Sequence, residues 1–169
     1  MPGTDIVRPT SDRVKEAVFS SVQFDVEGRR VLDLFAGSGQ LGIEALSRGA
    51  EKAVFVDRCA ECTDVVKKNL EITGLKDKAV VFCGDYSSFL SRNSETFDIA
   101  FLDPPYSSGI LVEALGLVTN HMSDYGIIFC EHPSDLSLPE AIGCFKAVRT
   151  YRFGSISVTT YKKGVSQYE

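Results

Sequence analysis

Val31-Leu-Asp-Leu-Phe-Ala-Gly-Ser-Gly-Gln-Leu-Gly42 decides the reading of this chain. Val31, Leu32 and Leu34 make a buried strand, and the apolar positions Ile43, Ala45 and Leu46 continue a helix that starts near Gln40. Between them, Gly37, Gly39 and Gly42 form a G-x-G-x-x-G turn, whose glycines permit tight backbone and let N–H groups approach a ligand. A carboxylate, Asp57, ends the next apolar run, Ala53-Val-Phe-Val56, about 20 residues after the first glycine. An acid there can hold both hydroxyls of an adenosine ribose.

Asp33 selects among adenosine cofactors. A dinucleotide carries a pyrophosphate, which wants a helix N-terminus without a carboxylate beside it. S-adenosylmethionine carries a sulfonium and an ammonium, and an acid one turn ahead of the glycines suits that cation. Asp33 can equally cap the glycine loop through backbone N–H groups. The two roles can coexist. The expected cofactor shell is Asp33, Phe35, Ala36, Gly37, Ser38, Gly39, Asp57, Arg58, Asp85 and Tyr86.

Outward from this unit, strands alternate with helices. A helix opens at Pro9-Thr-Ser-Asp12 and buries Val14, Ala17, Val18 and Val22, spaced for one face. Further helices are expected over about 60–72, with Val65, Val66 and Leu70 inward, as a short one around Phe89-Leu90 after Gly84-Asp85-Tyr86, and over 110–119. Ala79-Val-Val-Phe-Cys83 reads as a third buried strand, Phe97-Asp-Ile-Ala-Phe-Leu102 as a fourth and Gly126-Ile-Ile-Phe-Cys130 as a fifth. The ending departs from this alternation: residues 145–153 and 156–161 are separated only by Gly154-Ser155, a hairpin signal. The expected fold is α/β and Rossmann-like: a mostly parallel seven-stranded sheet with helices on both faces, closed by a C-terminal antiparallel hairpin.

At 169 residues the chain suits one domain with a real core. Hydrophobic content of 44% is ordinary for a globular protein, and no apolar run approaches the roughly 20 residues that span a bilayer. Met1-Pro-Gly-Thr-Asp5 has neither a basic region nor an apolar segment, so no secretory leader is expected. Five cysteines without regular spacing point to free thiols and a cytoplasmic location. Cys59 and Cys62 form a C-x-x-C, but no second pair follows at ligand spacing. They read as helix residues, with no metal expected.

The net charge of −5 argues against tight non-specific nucleic-acid binding. Its distribution is uneven. From Ala141 onward Lys146, Arg149, Arg152, Lys162 and Lys163 stand against Glu169 alone.

Open α/β sheets bind ligands beyond the carboxyl ends of their strands. Asp33, Asp57, Asp85 and Asp103 all fall at such ends. Asp103-Pro104-Pro105-Tyr106 is the most specific signal. Two prolines remove two donors and stiffen the loop, leaving carbonyl and carboxylate acceptors beside an aromatic ring. That set suits a flat substrate bearing an exocyclic NH2, held by its hydrogens and stacked on Tyr106. His132, at the end of the fifth strand, is a further candidate for substrate contact, and His121 reads as a helix C-terminal group.

With these residues in hand the sequence resembles the RsmD-type family of bacterial methyltransferases that modify guanine N2 in small-subunit ribosomal RNA. Four blocks carry the match: Arg8-Pro-Thr-Ser-Asp-Arg-Val-Lys-Glu-Ala-Val-Phe19; the glycine unit with Leu41 to Ala50; Phe101-Leu-Asp-Pro-Pro-Tyr106; and Tyr151-Arg-Phe-Gly154. The resemblance implies one methyltransferase domain over 1–169, with residues 1–24 packing on the cofactor side of a 25–169 core. It implies Asp103, Pro104, Pro105 and Tyr106 as the catalytic motif, and the Arg8 to Arg13 block, with Arg8, Thr10 and Arg13 as substrate candidates, near the methionine end of the cofactor or the RNA entrance. The implied partner of a monomer is 16S ribosomal RNA or the small subunit, with no membrane. Family members usually carry a basic hairpin ahead of the Arg-Pro-Thr block, where here only Met1 to Val7 stand; weaker RNA affinity or a shortened chain is the expectation. Adenine N6 in DNA or RNA is the alternative target, since the acceptor motif serves either amine. A nicotinamide-binding oxidoreductase would leave the Asp103 to Tyr106 loop unexplained, and a non-catalytic binding module that retains the fold would lose nothing measurable on Asp103→Ala.

Overall fold

A computed structural model describes residues 12–22, 25–105 and 108–164. In chain order the elements are α1 (Asp12–Ser21), β1 (Arg30–Leu34), α2 (Gln40–Ser47), β2 (Lys52–Asp57), α3 (Ala60–Thr73), β3 (Ala79–Cys83), α4 (Tyr86–Arg92), β4 (Phe97–Leu102), α5 (Ser108–Val118), β5 (Met122–Pro133), β6 (Ala141–Ile142), β7 (Phe145–Phe153) and β8 (Ile156–Lys163). They build one sheet ordered β3-β2-β1-β4-β5-β8-β7-β6. The first five strands of that order are parallel, and β8 runs antiparallel between β5 and β7. The seven expected strands are present, and the two-residue β6 adds an eighth at the edge.

The central strands are apolar on both faces because helices cover both. Val31, Phe55, Ile99, Phe101 and Phe129 meet α1, α2 and α3 on one side. Leu32, Leu34, Val54, Leu102 and Ile128 meet α4 and α5 on the other. Fully burying each such side chain contributes about 1.5–3 kcal/mol. Phe19 of α1 is completely buried, and its ring lies 5.7 Å from that of Phe101, which itself stacks on Phe129.

Four expectations change. Val65 is 43% exposed; Cys62, Thr63, Val66 and Leu70 form the inward face of α3 instead. β3 is half exposed, Val80 included, because it is the sheet's edge strand and lacks an outer neighbour. Cys62 lies in α3 as expected but Cys59 does not: it is the N-cap of that helix, just after β2, and its Sγ accepts from the Cys62 amide at 3.3 Å. His121 lies in a 3-10 turn rather than at an α-helix end, with Nδ1 3.3 Å from Asn93 Nδ2.

Candidate cofactor and substrate site

β1 leads to β2 and β3 on one side and borders β4 on the other, so the sheet order reverses between β1 and β4. Leu34 and Leu102 are register partners there. The glycine turn after β1 and the Asp103 loop after β4 therefore open side by side at the switch point, where such sheets bind ligands.

The turn is built by strict local demands. Phe35 holds φ of 68°, and Gly37 and Gly39 hold 58° and 80°. Gly39 N-caps α2. A Cβ at Gly42 would lie 2.3 Å from the Phe55 ring, so only glycine lets α2 pack this closely on β2. Asp57 anchors the turn from the neighbouring strand: its Oδ2 accepts from the Gly37 amide and its Oδ1 from the Cys59 amide, both at 2.9 Å. Asn69 of α3 donates to the Ser38 carbonyl at 3.2 Å, a support that no sequence pattern announced.

Asp33 is 3% exposed, and its Oδ2 accepts from the Gly42 amide at 3.0 Å. It caps the loop, as one of its two expected roles required. Burial pushes its carboxyl up to about 7 against the lowering effect of that amide, and the nearby Asp57 adds to the rise. A group so held would ionise readily beside a cation.

Asp85 N-caps α4 by accepting from the Ser87 amide at 3.1 Å, with the Ser87 hydroxyl also on it. The Ser87 contacts hold its carboxyl below the usual range, aided by Arg58. Phe35 and Tyr86 face one another with centroids 5.2 Å apart. Burial and a hydrogen bond with Glu113 raise the Tyr86 phenol to about 12. Ala36 is half-buried, and its amide donates to the Val56 carbonyl, which ties the turn to β2 a second time.

The Cys59 and Cys62 thiols and the Asp57 carboxylate bring three ligand-type atoms within 4.8 Å of one another. Burial first, then the bond to Cys59, pushes the Cys62 thiol up to about 12, the direction of an unreactive thiol.

Beyond β4 and β5 opens a cleft of about 360 Å³ lined by Asp103, Pro104, Pro105, Glu131, His132 and Asp135, with Leu111, Pro133, Leu136 and Ile156. It contains three carboxylates and no cation among its described lining. His132 borders the cleft, but both ring nitrogens are engaged: Nδ1 donates to the Pro133 carbonyl and Nε2 meets the Thr159 hydroxyl, each at 2.8 Å. Thr159 in turn meets Thr150 at 3.0 Å. The histidine thus ties β5 to β8 and β7. Glu131 and Asp135 went unnoticed in the sequence, because nothing local marks an acid that a distant loop turns toward a cleft. Arg13 lies over the Phe153 ring at 5.7 Å, on the hairpin rather than in the cleft lining. Arg8, Thr10 and Tyr106 fall outside the described residues.

The family described as Conserved hypothetical protein 95 matches residues 1–162. Ribosomal RNA small subunit methyltransferase D of Escherichia coli (strain K12) is 31% identical over 165 residues, which span 96% of this chain and 83% of that protein. The chain belongs to the RsmD-type methyltransferase family. YlbH of Bacillus subtilis (strain 168) is 40% identical over 161 residues, 92% of this chain and 88% of that protein. The solved structure of yhhF from Escherichia coli superposes with a TM-score of 0.86 at 29% identity, covering 95% of this chain and 91% of that one. The sheet closed by the β7–β8 hairpin is accordingly the Rossmann-like class I methyltransferase fold.

Proposed function

We propose that this RsmD-type methyltransferase uses S-adenosylmethionine to methylate the exocyclic N2 of a guanine in 16S ribosomal RNA. The observation that carries the reading is the cleft, in which Asp103 and the donor-free Pro104-Pro105 loop stand beside Glu131 and Asp135. The Watson–Crick edge of guanine offers N1–H and the N2 amine, donors that this acceptor-rich lining suits. The same edge of adenine places an acceptor, N1, beside its amine, and carboxylates repel it. Guanine is therefore preferred over adenine N6.

The cofactor's requirements fit the residues beside this cleft. Asp33, raised toward neutrality by burial, suits a cationic methionine end. Gly37, Ser38 and Gly39 offer close backbone approach, Asp57 suits the ribose hydroxyls, and Asp85 with Arg58, Phe35, Ala36 and Tyr86 suits the adenosine. Bound there, S-adenosylmethionine supplies an electrophilic methyl group. Asp103 and the Pro104 carbonyl hold the hydrogens of the target amine, which turns its lone pair toward that methyl. Tyr106 stacks on the base, and Asp103 receives the proton that the amine must shed. Positioning of this kind lowers most of the barrier.

Residues 1–169 act as a single domain, with 1–24 on the cofactor side. The enzyme works as a cytoplasmic monomer on ribosomal RNA or the small subunit. No helix among the described residues is long and apolar enough to cross a membrane.

Substituting Asp103→Ala tests the reading. Cofactor affinity, followed calorimetrically, should stay within about threefold while methyl transfer falls at least about 100-fold. Undiminished transfer would overturn the assignment of Asp103, and a wild-type protein that binds cofactor without transferring methyl would be a binding module instead.

A further inference from the structure

The β7–β8 hairpin carries a basic and aromatic face for which the site described above has no use. Residues 141–164 contain five of the chain's 18 lysines and arginines and none of its 23 acids. In an acidic protein this segregation concentrates positive charge on one element. A bulge sharpens it. The β7 register shifts between Ala147 and Arg149, leaving Val148 unpaired and 55% exposed. One extra residue reverses the alternation of faces. Lys146, opposite Lys162, therefore shares a face with Arg149, opposite Thr160, and with Tyr151 and Phe153 beyond it.

That face is the α1 side of the sheet. Lys162 and Thr160 are register partners of Ile127 and Phe129, and those two residues, with Val158 and Phe153, belong to the core beneath α1, α2 and α3. The Arg149 guanidinium lies over the Tyr151 ring at 4.4 Å, and Arg13 of α1 lies over Phe153. Lys146, Arg149 and Lys162 make no salt bridge among the described residues. Two lysines directly opposite on paired strands are a cost to the fold, since like charges so placed destabilise. A polyanion laid across them removes that cost.

The strip also leads to the right place. β8 runs antiparallel to β5, so the Gly154-Ser155 turn meets the end of β5: the Ser134 amide donates to the Ser155 carbonyl at 2.8 Å, and its hydroxyl to the Gly154 carbonyl at 2.9 Å. Ile156, the next residue, lines the cleft. From Phe153 back to Lys146 the strand covers about 23 Å at roughly 3.3 Å per residue. Its far end stops where Lys162 borders a second hollow containing Asp25, Asp98 and Asp124.

We propose that this face, Arg13, Phe153, Tyr151, Arg149, Lys146 and Lys162, is the track on which a single-stranded RNA segment lies as its target base enters the cleft. Resting on the function proposed above, this assigns backbone phosphates to the cations and a stacked base to Tyr151, the combination by which proteins hold single strands.

Lys146→Glu combined with Arg149→Glu tests it, alongside Lys67→Glu on exposed α3 as a control. Thermal melting establishes that each variant folds, and Arg149→Ala serves if the double variant does not. With rRNA as substrate, the double variant should raise KM at least about tenfold while kcat and cofactor affinity stay within about twofold. Fluorescence anisotropy with a labelled single-stranded RNA should show the dependence of affinity on salt shallower by about 1.4 in slope, at roughly 0.7 per lost phosphate contact. Tyr151→Ala should weaken the same RNA several-fold and Tyr151→Phe should restore it. A wild-type enzyme that methylates rRNA with the double variant indistinguishable from it overturns the track alone. A wild type that transfers methyl to no RNA overturns the functional reading as well.

Discussion

The carboxylate of Asp33, at the end of β1, is buried and accepts a hydrogen bond from the Gly42 amide, in the first turn of α2, at 3.0 Å. One short bond thus joins the strand, the glycine turn and the helix. It places a group of pKa about 7 at the switch point of the sheet. Two pH effects follow.

The first concerns stability. Asp33 is raised in the folded state from 3.8 to about 7, so between those values the folded protein holds a proton that the unfolded chain has released. Its contribution is fully present below about pH 4 and is lost as pH rises through 7. Asp33→Asn keeps an acceptor for Gly42 without the charge. The difference in unfolding free energy between the variant and the wild type, measured with urea, should be small at pH 4.5. By pH 8 it should favour the variant, by an amount on the order of 2–4 kcal/mol. A constant difference across that range would show that Asp33 does not titrate there.

The second concerns the cofactor. A cation favours ionised Asp33, so binding should release a proton and tighten as pH rises through 7. Calorimetry of S-adenosylmethionine in buffers of different ionisation enthalpy counts that proton. Asp33→Asn should bind at least about tenfold more weakly and lose the part of the proton release that belongs to the protein.

Gly42 tests the packing of the turn. Gly42→Ala puts a methyl 2.3 Å from the Phe55 ring, which is overpacked and costs about 1–3 kcal/mol in urea unfolding. Pairing it with Phe55→Leu should recover part of the loss, and strict additivity of the two changes would mean that they do not meet.

His132 separates support from chemistry. Both of its ring nitrogens are engaged by Pro133 and Thr159, so His132→Phe removes the partner of the Pro133 carbonyl and leaves the buried Thr159 hydroxyl with Thr150 alone. Stability should fall by about 1–3 kcal/mol. At a temperature where the variant remains folded, kcat should stay within about threefold. A large loss of kcat in a well-folded variant would give the histidine a catalytic part.

What could be read in the sequence was what periodicity and strand ends carry. Val31 to Gly42 and the four acids at strand ends located the ligand-binding rim of the sheet, because glycine spacing and carboxylates are local signals. Register is not local. Val80 looked like core until the sheet order made β3 an edge. Val65 and Val66 are equally apolar neighbours, and only the seating of α3 on β2 and β3 buries one and exposes the other. The lone His132 carried no mark of its bond to Thr159, which is 27 positions away. Glu131 and Asp135 acquire meaning only once the loop after β5 stands next to the loop after β4. The bulge at Val148, which puts Lys146 on the same face as Arg149 and Lys162, is equally a product of pairing.

The central claim, that the acceptor-rich cleft selects the amine of guanine, is tested most directly by the identity of the product. Labelled methyl from S-adenosylmethionine is transferred to unmodified small subunits, naked 16S rRNA and duplex DNA, and the modified nucleoside is identified by mass. The account predicts N2-methylguanosine, from subunits or rRNA and not from duplex DNA. N6-methyladenosine, or methylated DNA, would contradict it.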